Sequence, residues 1–116
     1  MTPRESQTTL YLNSDRMGDG DDELGRRLLK SFLNTTLASE KKVDRIICVN
    51  SAVYLTTEGS PVIEELTDFE RQGTEIVSCG TCLKSYGREY MVVIGSVGDM
   101  AGTVAALFES DKVTTP

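Results

Sequence analysis

Histidine and tryptophan are both absent from the 116 residues, and aromatic residues make up only 6%. The missing histidine excludes the most chemistry. No Ser-His-Asp or Cys-His pair can form within the chain, and neither a Cys2His2 zinc site nor an HExxH protease is possible. Acid–base chemistry near neutral pH therefore falls to carboxylates, lysines or thiols. Positive charge is also short. Lys+Arg 12 against Asp+Glu 18 leaves a net charge of -6, which argues against nucleic acid and against anionic membrane surfaces as partners. The longest apolar runs, such as Tyr90-Met91-Val92-Val93-Ile94, are far too short to span a bilayer. The opening residues lack an apolar stretch of the kind a secretory signal needs. Three cysteines, Cys48, Cys79 and Cys82, are too few for a secreted disulfide scaffold, so the expected location is a reducing cytoplasm.

What is present reads as one domain over residues 8–116, behind a polar leader over 1–7 expected to be disordered. Thr-Thr-Leu-Tyr-Leu-Asn over 8–13 is a strand by composition. Leu24, Leu28, Leu29, Phe32, Leu33 and Leu37 recur at helical spacing, predicting a helix over 22–38 with Asp21 or Asp22 as its cap. A second strand, over 45–50, has a continuously apolar centre, as parallel strands buried on both faces do. A loop over 51–60 leads to a helix with Ser60 as cap, Pro61 as first residue, an inner face of Val62, Ile63, Leu66 and Phe69, and Gly73 at its end. Further strands are expected over 75–78, 90–94 and 111–114, with a helical turn over 81–86. Met100, Val104, Leu107 and Phe108 mark the last helix. Alternating strands and helices predict a three-layer α/β fold, a mostly parallel sheet with helices on both faces.

In such a sheet the loops leaving the strand C-termini share one edge, usually where the strand order reverses. Of the three that meet there, only Ser78-Cys79-Gly80-Thr81-Cys82 carries a strong nucleophile. Cys79 falls at a strand end and a helix start, where unpaired N–H groups favour thiolate. Gly80 leaves room beside the sulfur, and Cys82, about one turn on, can share its face. Cys48, inside an apolar strand, reads as space-filling. No metal and no cofactor are expected. One CxxC without histidine cannot supply four zinc ligands, and the Asp15–Asp22 loop has the wrong residues for an EF-hand. Gly18 and Gly20 precede a helix but lack phosphate-loop spacing, among aspartates that would repel phosphate.

Asn13-Ser14-Asp15-Arg16-Met17-Gly18-Asp19-Gly20-Asp21-Asp22-Glu23-Leu24-Gly25, then Asn50-Ser51, Leu55-Thr56-Thr57-Glu58-Gly59-Ser60 and Ser78-Cys79-Gly80-Thr81-Cys82-Leu83, resemble the DsrE-like superfamily. Within it they are similar to the C-terminal domain of YedF-type proteins, described as sulfurtransferase-like and linked to selenium metabolism. The resemblance implies a DsrE-like, flavodoxin-like domain, assembled as a dimer, trimer or hexamer. It implies a persulfide-carrying cysteine after the third strand, matched by Cys79, with Gly87 matching a glycine eight residues later. Cys82 belongs to the YedF-type pattern alone. No Cys-Pro-x-Pro motif stands in this sequence, so a TusA-like sulfur carrier or another persulfide donor is expected in trans.

The leading expectation is a sulfur or selenium carrier acting through a persulfide on Cys79, with Cys82 sharing or resolving it. Gly80, Thr81, Asn50, Ser51, Asp15 and Gly18 are the candidate substrate-binding residues. The alternatives are a dithiol/disulfide redox protein using Cys79 and Cys82, and a non-catalytic oligomeric binding subunit.

Overall fold

The strands are built from the β-branched and aliphatic runs: β1 (Thr8–Leu12), β2 (Arg45–Cys48), β3 (Glu75–Cys79), β4 (Ser96–Gly98) and β5 (Lys112–Thr114). The computed structural model describes residues 6–116, and in it the five strands form one all-parallel sheet in the order β4-β3-β2-β1-β5. Most of the expected leader lies outside the described residues. Gln7 is tied down, its N–H donating to Asp111 Oδ2 at 2.7 Å.

The helices α1 (Asp22–Ala38) and α2 (Ile63–Arg71) pack on one face of the sheet. There Leu10 and Leu12, Ile46 and Cys48, and Ile76 alternate inward against Leu29, Leu33, Leu66 and Phe69. The cap of α1 is Asp21, which accepts the Leu24 N–H at 2.7 Å. Leu24 and Leu28, expected inside, are exposed. The buried stripe runs through Gly25, Leu29 and Leu33 instead, because a Cβ at Gly25 would stand 2.8 Å from Arg16 Cβ and only glycine lets the preceding loop lie against the helix. Pro61 precedes α2 rather than opening it. Ser60 Oγ accepts the Val62 N–H at 3.2 Å, and Gly73 follows the helix at φ 96. The expected loop after β2 begins with a 3-10 helix, Asn50–Leu55, that buries Ala52, Val53 and Leu55.

One expectation fails further on. Residues 90–94 are not a strand; Tyr90 is exposed and Val92 makes a single antiparallel bridge to Thr57. The fourth strand is 96–98 because the chain must pass close to β3. A Cβ at Gly95 would lie 2.4 Å from the Ile76 carbonyl oxygen, and one at Gly98 2.6 Å from Val77 Cγ1. The expected last helix is α4 (Met100–Glu109), which packs on the opposite face of the sheet, on the return from β4 to β5. It buries Thr103 and Ala106 and half-buries Leu107, while Met100, Val104 and Phe108 point outward. Small residues let this helix sit close to Ile47 and Val49, and its large ones face solvent. No helix among the described residues is long and apolar enough to cross a membrane.

Candidate functional site

Cys79 is at once the last residue of β3 and the N-cap residue of α3 (Gly80–Ser85), with φ -67 and ψ 121. Strand alternation sends its side chain to the face that α4 covers, among Ile47, Val49 and Ala106. It is 7% exposed. Cys82, in the first turn of α3, is half-buried and packs against the same cluster. The two sulfurs therefore meet, as their spacing predicts, but the expected solvent-facing sulfur is the inner one. The third thiol, Cys48, lies in the opposite core, and burial pushes it from 9.0 to about 12.

The outer sulfur is held by the neighbouring strand end. Asn50 takes the left-handed conformation, φ 53, which asparagine tolerates better than most residues. Its backbone N–H donates to Cys82 Sγ at 3.1 Å, and its Oδ1 accepts the Tyr86 hydroxyl at 2.7 Å. Burial pushes the Cys82 thiol above its usual value; the hydrogen bond with Cys79 and the charge Cys79 can carry push the same way, and the Asn50 N–H pulls back.

The other predicted residues divide. Gly80 does not open space for a visitor: a Cβ there would meet Val97 Cγ1 at 3.2 Å and the Gly98 carbonyl at 3.3 Å, so β4 already fills that room. Gly80 and Thr81 line a shallow hollow with Lys84 and Tyr90. Asp15 and Ser51 do come together, the Asp15 N–H donating to Ser51 Oγ at 3.2 Å. They belong to a cleft of about 590 Å³ beside the thiol pair. Gly18, at φ 85, is a turn residue in open surroundings, outside the cleft lining.

Arg88, which with Lys84 was expected to add positive charge near the cysteine loop, lines that cleft, and three of its residues were not singled out from the sequence: Arg26, Tyr54 and Tyr86. The Arg88 guanidinium lies 4.3 Å from the Tyr54 ring centroid, and its Nη1 donates to Thr57 Oγ1 at 2.9 Å and the Glu58 carbonyl at 3.1 Å. Tyr54 meets Tyr86 edge to face at 5.0 Å. The available signal was the helical offset of four between Asn50 and Tyr54 and between Cys82 and Tyr86, once both segments are helical. The thiol pair sits after β3, well away from the β1/β5 boundary where the strand order reverses. No group of three or more His, Cys, Asp or Glu side chains that could hold a metal occurs among the described residues.

No family model and no curated protein sequence matches the chain. Solved structures do. The ychN protein from E. coli is similar with a TM-score of 0.69 at 17% identity, covering 97% of this chain and 100% of that one. A protein of unknown function, MTH1491 from Methanobacterium thermoautotrophicum, gives 0.68 at 19%, with 97% and 100% covered. Another, BT1422 from Bacteroides thetaiotaomicron, gives 0.65 at 18%, with 95% of each chain covered. The expected three-layer α/β architecture is present, and the fold is that of ychN and the two proteins of unknown function.

Proposed function

We propose that the chain is a sulfur carrier or transferase whose working unit is the Cys79–Cys82 pair. The observation that carries this reading is the placement of both thiols in one cluster at the end of β3, Cys79 buried within it and Cys82 packed against it. A donor persulfide, R–S–SH, approaches on the side where Cys82 is half-buried. The Cys79 thiolate attacks its outer sulfur; the donor S–S bond breaks, R–S⁻ leaves and takes up a proton, and Cys79 holds –S–SH. Cys82, as thiolate, then attacks Cys79 Sγ. That forms the Cys79–Cys82 disulfide, releases HS⁻, and reduces the carried sulfur at the expense of the dithiol, which an external dithiol reductant restores. The Asn50 N–H, 3.1 Å from Cys82 Sγ, stabilises the anionic sulfur. A selenium donor R–S–SeH follows the same sequence of bonds, R–S⁻ leaving in the first step and HSe⁻ in the second. The YedF-type motifs favour that group within the wider fold, a TusA-like or other persulfide donor in trans, and a cytoplasmic setting.

Loading with a persulfide donor followed by cyanolysis tests the assignment. In a Cys82→Ser background, where the carried sulfur cannot be released, about one thiocyanate per chain is expected, falling at least tenfold when Cys79→Ser is added. Equal release from the double variant contradicts it.

The same contact also favours a second reading, a dithiol/disulfide redox protein, which a redox titration showing a reversible Cys79–Cys82 disulfide but no sulfur loading would select. In either case the chain works as a homo-oligomer. The exposed stripe Met100, Val104 and Phe108 on α4, with Phe108 87% exposed, is an apolar surface of the kind a second copy covers. An oligomer whose thiols neither load nor cycle would leave only the binding-subunit alternative.

A further inference from the structure

In a chain of net charge -6, guanidinium groups are the scarce resource, and Arg16, Arg26 and Arg88 line one cleft with no lysine among them. Two carboxylates share it, Asp15 and Glu58. Asp15 is engaged on both sides, by Arg26 Nε at 3.5 Å and Arg16 Nε at 3.9 Å, and Arg16 Nη1 also reaches Asp22 at 2.9 Å. The lining thus carries three guanidinium groups to two carboxylates, with Arg16 turned toward Asp22 outside it, which leaves Arg26 and Arg88 to face the cleft. Arg88 is held rigid. Among the described residues, Thr57 and Glu58 engage only its Nη1 and Tyr54 packs against its plane, which leaves Nη2 and Nε for a further acceptor. The guanidinium fork matches an oxyanion edge, and holding it in place beforehand removes much of the entropy cost of binding.

The size is that of a small-molecule site. About 590 Å³ lies in the usual range for pockets that enclose a ligand rather than present a face to a protein. Tyr54 and Tyr86 give it an aromatic wall, and Ser51 adds a hydroxyl. We infer that this cleft binds a small molecule through a carboxylate, sulfate-like or phosphate-like oxyanion placed between Arg26 and Arg88, with its apolar part against Tyr86. The inference does not depend on any chemistry at the thiols. The Tyr86 hydroxyl bonds Asn50 Oδ1, and the Asn50 N–H bonds Cys82, so a bound molecule sits one hydrogen-bonded chain away from the outer sulfur.

The test is an amide NMR titration of the full chain with sulfate, phosphate and succinate in turn, ionic strength held with chloride. Saturable shifts at Ser51, Tyr54 and Arg88 are expected for at least one of the three. Saturation by sulfate or phosphate alone assigns a tetrahedral anion, and by succinate alone a carboxylate. Arg26→Gln and Arg88→Lys each weaken binding at least tenfold, whereas Asp15→Asn, which removes the competing carboxylate, strengthens it severalfold. The Cys79→Ser/Cys82→Ser double variant binds as wild type does, which separates this outcome from failure of the sulfur chemistry. Shifts that never saturate, that chloride reproduces, or that are unchanged in both arginine variants overturn the inference.

Discussion

Two thiols in contact do not react alike. Cys82 is the outer sulfur, yet burial and its hydrogen bond with Cys79 push its pKa up. Its alkylation therefore develops above the ordinary thiol range, and Cys79→Ala, which removes the hydrogen bond and the neighbouring charge, moves the midpoint down. Iodoacetamide rates against pH for the two proteins check this; an upward or absent shift contradicts it. Cys48 behaves differently. With its thiol pushed from 9.0 to about 12, the folded state keeps a proton that the unfolded chain loses. Stability from this group is whole below pH 9.0 and declines as pH rises toward about 12, by about 1.4 kcal/mol per pH unit at most. Urea midpoints across that window should fall less steeply in Cys48→Ala than in wild type. Place along the strand was enough to separate Cys48, inside an apolar run, from Cys79, at a strand end; the structure puts the two on opposite faces of the sheet. Which of Cys79 and Cys82 faces outward was not readable, because it depends on α4, which arrives from more than twenty residues further along the chain.

Among the elements, periodicity located α1, α2 and the first three strands because each has a single dominant pattern. It failed at β4, where the run Tyr90–Ile94 has the better strand composition but Gly95 and Gly98 alone can lie against β3. Close approach is a property of two segments, invisible in either one. Gly95→Ala carries the consequence. At φ 77, with Ile76 O 2.4 Å from the added Cβ, it should destabilise the fold by about 2–4 kcal/mol, read as a lowered urea midpoint. A wild-type midpoint would mean that β4 does not pair here. The 3-10 helix at Asn50–Leu55 escaped notice for a related reason. Asn-Ser reads as a turn, and only the burial of Ala52, Val53 and Leu55 makes the segment part of the core.

At the scale of the molecule, the chain steps from β1 to β4 in one direction with α1 and α2 on one side, then returns to the far edge with α4 on the other. Right-handed crossovers require that change of face when the direction reverses. It leaves one thickly covered face and one carrying a single described helix, whose large side chains Met100, Val104 and Phe108 point outward. The helical spacing of those residues was plain in the sequence. Their outward direction was not, because burial of Thr103 and Ala106 decides it. If a second copy covers that stripe, sedimentation will show a wild-type oligomer and Phe108→Glu will shift it at least tenfold toward the monomer. A monomeric wild type at tens of micromolar contradicts the assembly. The central claim concerns the sulfur pair, and intact-mass spectrometry of the protein after exposure to a persulfide donor, without reductant, tests it most directly. The account predicts addition of a single sulfur mass in Cys82→Ser, where the carried sulfur cannot be released, mapped to the peptide holding Cys79 and lost in the double serine variant. No added mass, or the same mass retained in that variant, contradicts it.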